Sequence, residues 1–131
     1  MQNLITYFST QPKRLFLLDS IGALATAASL AIILLFLNTH FAIPSSALHI
    51  LIAVALCFCI YSATCYLGLK SNFKPFLRII ATANLTYCLA TLAMMFTQFS
   101  TLTLLAKAYL IIEVAIVCTL SYIEFSVAKK Q

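Results

Sequence analysis

The chain has 131 residues, of which 63% are hydrophobic and only 8% are charged, and its formal net charge is +5. A water-soluble domain carries roughly 25% charged residues, so this composition excludes an ordinary soluble globule and favours a protein that lies in a lipid bilayer. Membrane topology and contact with anionic headgroups account for the positive charge, and we therefore expect the bilayer, and no nucleic acid, as a partner.

The chain is predicted to enter the membrane only after a short interfacial segment. The opening stretch MQNLITYFSTQPKR contains no apolar run long enough to span, and we expect it to lie along the interface with Tyr7 and Phe8 inserted. An apolar run then extends from about residue 15 to residue 37. Because this run is longer than the hydrophobic region of a signal peptide, we interpret it as a transmembrane helix.

Small residues recur within this first run. Ala23, Ala27 and Ala31 are spaced every four residues, and this spacing lets two helix backbones approach closely in lipid. We expect the alanine seam to pack inside the protein rather than to form a dedicated dimer contact.

Three further apolar runs follow, at about residues 47–69, 76–96 and 102–125. Each is close to the roughly 20 residues that a helix needs to cross the hydrocarbon core. The connections between the runs are short, so consecutive helices should be antiparallel neighbours. No proline falls inside a run, and we expect continuous helices. The sequence thus predicts an all-α fold with a single domain over residues 1–131, a four-helix transmembrane bundle that runs up-down-up-down.

The basic residues predict the orientation of this bundle. Seven of the eight Lys and Arg residues flank the runs on one side of the membrane, and only Lys107 belongs to the other side. Positive residues concentrate on the cytoplasmic side of membrane proteins. Both termini are therefore expected in the cytoplasm.

Each run also carries a stripe of polar or small residues on one helical face. Polar groups that face lipid without a partner cost several kcal/mol, so we expect all four stripes to face the bundle interior. In chain order, the stripes consist of Asp19, Gly22, Thr26 and Ser29; Ala53, Cys57, Tyr61, Thr64 and Gly68; Asn84, Tyr87, Thr91 and Gln98; and Tyr109, Glu113 and Glu124.

Glu113 is the strongest candidate for a functional residue, because it lies near the middle of the last run. An ionisable side chain at this depth is costly to insert, roughly 2.5–3.5 kcal/mol, and often marks a functional site. Two interpretations remain open. Glu113 is either a protonated carboxyl that joins helices through Asn84 or Tyr87, or the centre of a ligand site that Asn84, Tyr87 and Tyr61 help to form.

The other two acidic residues lie closer to the predicted cytoplasmic boundary. Asp19 is included among the candidate ligand-binding residues, although pairing with Lys13, Arg14 or Arg78 near the interface would also explain it. Glu124 is expected to be an interfacial charge beside the two lysines that follow the last run.

No pattern points to a cofactor, a metal or a catalytic centre. The five cysteines contain no C-x-x-C motif and are interpreted as small buried hydrophobic residues. His40 and His49 do not form the facing pair that haem would require. There is neither a glycine-rich phosphate loop nor a Ser-His-Asp set, so we expect neither a bound cofactor nor enzymatic activity.

Two functions from different classes are compatible with these features. In the first, the bundle interior binds or translocates a small molecule, a proton or a cation at Glu113. In the second, the protein is a non-catalytic accessory or scaffold subunit of a membrane assembly, and its helices pack against like copies or against a larger complex.

Several short stretches carry a resemblance to known proteins. They are LLDSIGAL (17–24), YSATCY (61–66) and ANLTYC (83–88), together with Glu113 and Glu124. In these stretches the chain resembles a group of short, four-span bacterial membrane proteins with no assigned role. This resemblance implies a bacterial plasma membrane and no particular activity. Small multidrug transporters also have four short helices, but their third-helix tryptophan is missing from this chain, which has no Trp.

Overall fold

The computed structural model describes residues 2–130, with the exception of the Phe41 side chain. Within these residues the chain forms α-helices, one π-helical segment and no strand. In chain order the elements are α1 (Gln2–Thr10), α2 (Pro12–Ile32), the π-helical segment (Ile33–Leu37), α3 (Asn38–Phe41), α4 (Ser45–Gly68), α5 (Lys74–Thr97) and α6 (Leu104–Lys130).

Within residues 2–130, four helices are long and apolar enough to cross a membrane, which confirms the predicted number of candidate spans. They cover Pro12–His40, Ser45–Gly68, Lys74–Thr97 and Leu104–Lys130. The first of these contains the π-helical segment, so it is continuous but not uniformly α-helical. A π-helical turn accommodates one more residue than an α-helical turn, and therefore the residues that follow it are rotated about the helix axis.

Local sequence signals explain where the helices begin and end. Pro12 and Pro75 lie in the first turns of α2 and α5, where the missing proline N–H is not needed. Ala42 ends α3 in the left-handed conformation with φ 55°, and Asn38 Oδ1 accepts the Ile43 N–H at 3.0 Å. Thr103 caps α6, because its hydroxyl accepts the Ala106 N–H at 3.2 Å.

The helices associate as two closely packed pairs. α2 packs along α4 and α5 packs along α6, whereas α4 has little contact with α5 and α2 has little contact with α6. The short helix α1 contacts both α2 and α6. Phe8 is buried against the protein and Tyr7 is exposed, whereas the expected insertion of both rings into the membrane interface stays a prediction.

Two apolar clusters form the core and lie at different levels of the bundle. The terminal cluster joins residues near both ends of the chain to residues on either side of the α4–α5 connection. Its members include Ile5, Phe16, Cys65, Leu77, Ile123 and Val127. The far cluster contains Leu30, Ile33, Leu48, Leu51, Met95 and Leu110, among others. Asp19 on α2 and Asn84 on α5 are buried polar residues that fall between residues of these two clusters.

One predicted inward face is wrong. On α4, Ala53, Cys57, Thr64 and Gly68 are exposed, and the buried residues are instead Leu48, Leu51, Ala55, Ser62 and Cys65. The Thr64 hydroxyl donates to the Ile60 carbonyl of its own helix at 2.7 Å. Because that hydrogen bond satisfies the hydroxyl locally, the face needs no partner from another helix.

Candidate functional site

The first polar centre joins α5 to α6 in the bundle interior. The Tyr87 hydroxyl donates a hydrogen bond to Glu113 Oε1, and both side chains are buried. Tyr109, one turn before Glu113 on α6, also interacts with the Glu113 carboxyl and contacts Ser29 on α2. Of the two partners predicted for Glu113, the structure therefore brings Tyr87 into contact and places Asn84 elsewhere.

The second polar centre joins α2, α5 and α6. Asn84 Nδ2 donates to Glu124 Oε1 at 2.8 Å and lies 3.4 Å from Asp19 Oδ1. The carboxyl groups of Asp19 and Glu124 also contact each other. Asp19 is 5% exposed and Glu124 is 0% exposed. We call these three residues the carboxyl–amide triad.

The expected surroundings of both acidic residues are wrong. Glu124 is not an interfacial charge, because α1 covers this part of α6 and helps to form the terminal cluster around it. Asp19 does not pair with the basic residues near the start of α2. Arg14 instead donates to the Tyr7 hydroxyl at 2.5 Å, and the Lys13 ammonium lies 5.4 Å from the centre of the Tyr66 ring.

No cation neutralises either centre within residues 2–130. Asp19 Oδ2, Glu113 Oε2 and Glu124 Oε2 are buried and have no hydrogen-bond partner, and none of the three carboxyls takes part in an ion pair. Two carboxylates in contact repel each other strongly when no cation is near. A proton shared by Asp19 and Glu124 would relieve this repulsion.

A cavity extends from the triad towards the first centre. It has a volume of about 70 Å³, and its polar lining comes from Asp19, Thr26, Ser62, Asn84 and Tyr87. A water molecule needs at least about 10–15 Å³ of such volume and a few polar partners. The cavity therefore has room for a few water molecules between the triad and Tyr87.

A second cavity lies against Glu113 between α2 and α6. It measures about 200 Å³ and is lined by Thr26, Ser29, Tyr109 and Glu113 together with apolar residues of α6. Thr26 borders both cavities. The loose contact between α2 and α6 thus leaves polar space next to both carboxyl centres.

Tyr61 does not belong to either centre. Its hydroxyl donates to the Phe76 carbonyl at 3.2 Å, where the end of α4 approaches the start of α5. Conversely, sequence reasoning left out Glu124 and Tyr109 as site residues, although both lie on the same stripe of α6 as Glu113. That shared face was the signal that could have identified them.

The remaining candidate chemistries find little support in the geometry. No group of three or more His, Cys, Asp or Glu side chains suitable for a metal ion occurs within the described part of the chain. The five cysteines are free thiols, and Cys88 donates to the Val114 carbonyl at 3.7 Å. Oxygen atoms of carboxyl, amide and hydroxyl groups are therefore the main polar groups of the interior.

Comparison with known proteins adds no further information about the role of these residues. No protein-family model, no curated protein and no solved structure matches this chain.

Proposed function

We propose that this multi-pass membrane protein binds and releases protons at two connected carboxyl centres in its interior, Glu113 and the carboxyl–amide triad. The observation that carries the proposal is the absence of any compensating cation among the described residues around three buried carboxyls. Buried carboxyls without a cation are stable only when protons neutralise most of their charge. A proton is thus the simplest ligand that satisfies the site.

The space between the centres supports exchange of protons from one to the other. Glu113 and Glu124 are eleven residues apart on α6, which corresponds to about 16 Å along the helix axis. The cavity lined by Asn84 and Tyr87 covers part of this distance, and hydroxyl groups or water molecules in it can relay a proton by successive hydrogen bonds.

The apolar clusters favour a closed site over an open pore. The far cluster packs around Tyr87, and the terminal cluster includes the neighbours of Glu124 on α6. A water-filled channel would need polar side chains through these levels. We therefore propose a binding site that is reached from the seam between α2 and α6, where the second cavity lies.

We further propose an antiparallel bundle in a bacterial plasma membrane, with both termini in the cytoplasm. The hydrogen bonds from Ser121 to the Ala81 carbonyl and from Cys88 to the Val114 carbonyl support opposite directions for α5 and α6, because the residue number rises on one helix as it falls on the other. The cytoplasmic termini rest on the distribution of Lys and Arg.

Glu113→Gln tests the proton site directly. Glutamine retains an oxygen that accepts from Tyr87, so the variant should fold and melt close to the wild type, but it has no proton to exchange. We expect infrared difference spectra of the purified protein, recorded over a pH titration, to lose one carboxyl signal. Thr119→Val serves as the control on the same helix, because Thr119 is exposed and its hydroxyl bonds only to its own helix.

A wild-type protein whose carboxyl bands do not change with pH would contradict the proposal. So would a Glu113→Gln variant whose pH-dependent spectrum equals that of the wild type. Either result would leave the accessory or scaffold subunit as the better hypothesis. If a carboxyl signal responds to added Na⁺ or K⁺ at constant pH, the ligand of the site is a monovalent cation instead of a proton.

A further inference from the structure

An open groove separates α4 from α5 on the outside of the bundle. The two helices are consecutive in the chain but have little contact with each other. The groove has a volume of about 650 Å³, which is within the range of roughly 300–1,000 Å³ found for ligand pockets. The rings of Phe58 and Tyr87 meet edge to face, with centroids 6.0 Å apart, and form the wall between this groove and the cavity beside the triad.

The lining of this groove is almost entirely apolar. Its walls are formed by Ile50, Leu51, Val54, Phe58, Ile79 and Ala83, among others. The Thr86 hydroxyl, which also borders the groove, donates to the Thr82 carbonyl of its own helix at 2.9 Å, so it offers no free donor to a ligand. The groove therefore suits a hydrocarbon chain.

A single charged residue, Arg78, lines the groove at one end. Arg78 is exposed and makes no hydrogen bond, ion pair or ring contact within residues 2–130. It lies one turn after Lys74, the first residue of α5. The guanidinium group matches the geometry of a phosphate with two parallel hydrogen bonds, so this end of the groove is complementary to an anionic headgroup.

The length of the groove matches one leaflet of a bilayer. On α5 the lining residues extend from Arg78 to Ala90, which is twelve residues or about 18 Å along the axis. Half of the hydrocarbon core is about 15 Å thick. A lipid whose phosphate lies at Arg78 can thus place a whole acyl chain between α4 and α5.

We propose that the groove between α4 and α5 binds one anionic phospholipid, with its phosphate on Arg78 and one acyl chain along Ile79, Ala83 and Ala90. The charge of Arg78 selects the headgroup, and the gap between the helices holds the chain. None of the three buried carboxyls lines the groove, which shares only Tyr87 with the first polar centre.

The test compares phosphatidylglycerol with phosphatidylcholine of identical acyl chains, added to the full-length protein in detergent and counted by native mass spectrometry. We expect one phosphatidylglycerol to bind about fivefold more tightly than phosphatidylcholine, which corresponds to the ~1 kcal/mol that one basic residue contributes near an anionic lipid surface. Arg78→Gln should abolish this preference, whereas Arg78→Lys should retain part of it.

Two further variants separate the groove from general surface charge. Lys130→Gln removes an exposed positive charge near the end of α6 and should leave the preference unchanged. Ala83→Leu fills the middle of the groove and should weaken binding of both lipids. Circular dichroism and gel filtration establish that each variant is folded.

Equal binding of the two lipids to the wild type would overturn the proposal, and so would a preference that survives Arg78→Gln. If Ala83→Leu disrupts a dimer and leaves lipid binding unchanged, the groove holds a helix of a second copy instead of a lipid.

Discussion

Glu124 is a fully buried carboxyl whose hydrogen-bond partner is an amide. Asn84 donates to Glu124 Oε1 at 2.8 Å and also lies within 3.4 Å of Asp19 Oδ1, so one NH₂ group serves two acidic residues. An amide suits this position because it carries two donors and no charge. A lysine there would neutralise one carboxylate and remove the need for a proton.

Substitutions at Glu124 should separate the hydrogen bond from the charge. Glu124→Gln retains an acceptor for Asn84 and offers a donor to Asp19, so the stability should change little. Glu124→Ala leaves the Asn84 amide with only the longer contact and is expected to lower the free energy of unfolding by about 1–3 kcal/mol. Thermal unfolding in detergent measures both, with exposed Thr119→Ala as the control. An alanine variant as stable as the wild type would show that the triad does not support the fold.

The two polar centres differ in how far the sequence could predict them. The contact between Tyr87 and Glu113 follows from helical periodicity, since both side chains lie at similar depth on polar faces of neighbouring helices. The triad was not predicted. Helical periodicity gives the face of the helix on which each residue lies, but it does not show that another segment covers the end of α6. The burial of Glu124 depends on α1, whose packing against α6 has no clear signal in the amphipathic opening segment.

At the scale of the element, α2 approaches α4 closely along its small residues. Ala27 is 5% exposed, and Ala23 and Ala31 on either side of it are half-buried. The Ser20 hydroxyl reaches the Cys59 carbonyl of α4 at 3.3 Å, which requires close backbones. The alanine seam thus belongs to the interior of the bundle, as the sequence indicated.

Ala27→Leu should therefore disturb this helix contact. Extra methylene groups in a packed interior typically cost about 1–3 kcal/mol, and we expect a lower thermal midpoint in detergent. Ile32→Leu, at a position on the same helix that is 50% exposed, should change the midpoint little. Equal midpoints for the two variants would mean that α2 and α4 can separate enough to accept leucine.

The π-helical segment is the part of an element that sequence reasoning could not foresee. Ile33–Leu37 contains neither glycine nor proline, which are the usual signals of a helix irregularity. The chain is packed on both sides of the segment, because Ile33 at its start and Ile43 beyond it are buried in the far cluster. Thr103 also donates to the His40 carbonyl at 2.6 Å.

At the scale of the whole molecule, the proposed topology predicts which loops are accessible from outside the cell. Ser45, Ser71 and Ser100 are exposed residues at the ends of spans, so a cysteine at each should be reactive without disturbing the fold. In intact cells, a membrane-impermeant thiol reagent should label Ser45→Cys and Ser100→Cys and should not label Ser71→Cys. Labelling of Ser71→Cys alone would show that the protein has the opposite orientation.

The number of spans was predictable at this scale, whereas the unequal packing of the helices was not. Four apolar runs of sufficient length predict four helices. The short connections between them predict that consecutive helices lie side by side. The loose contact between α4 and α5 involves two helices at once, and the periodicity of a single run does not indicate it. The polar stripe on α4 was misleading because Thr64 satisfies its own hydrogen bond.

Because the bundle consists of two closely packed pairs with loose seams between them, it is suited to assemble in the bilayer in two steps. Apolar packing alone would not select which faces of the pairs join, since lipid chains are as apolar as leucine. Asp19 belongs to the first pair, while Asn84 and Glu124 belong to the second. Until the pairs meet, Asp19 lacks the amide of Asn84. A chain that ends after α4 therefore leaves this carboxyl without its hydrogen-bond partner, and only the second pair completes the triad.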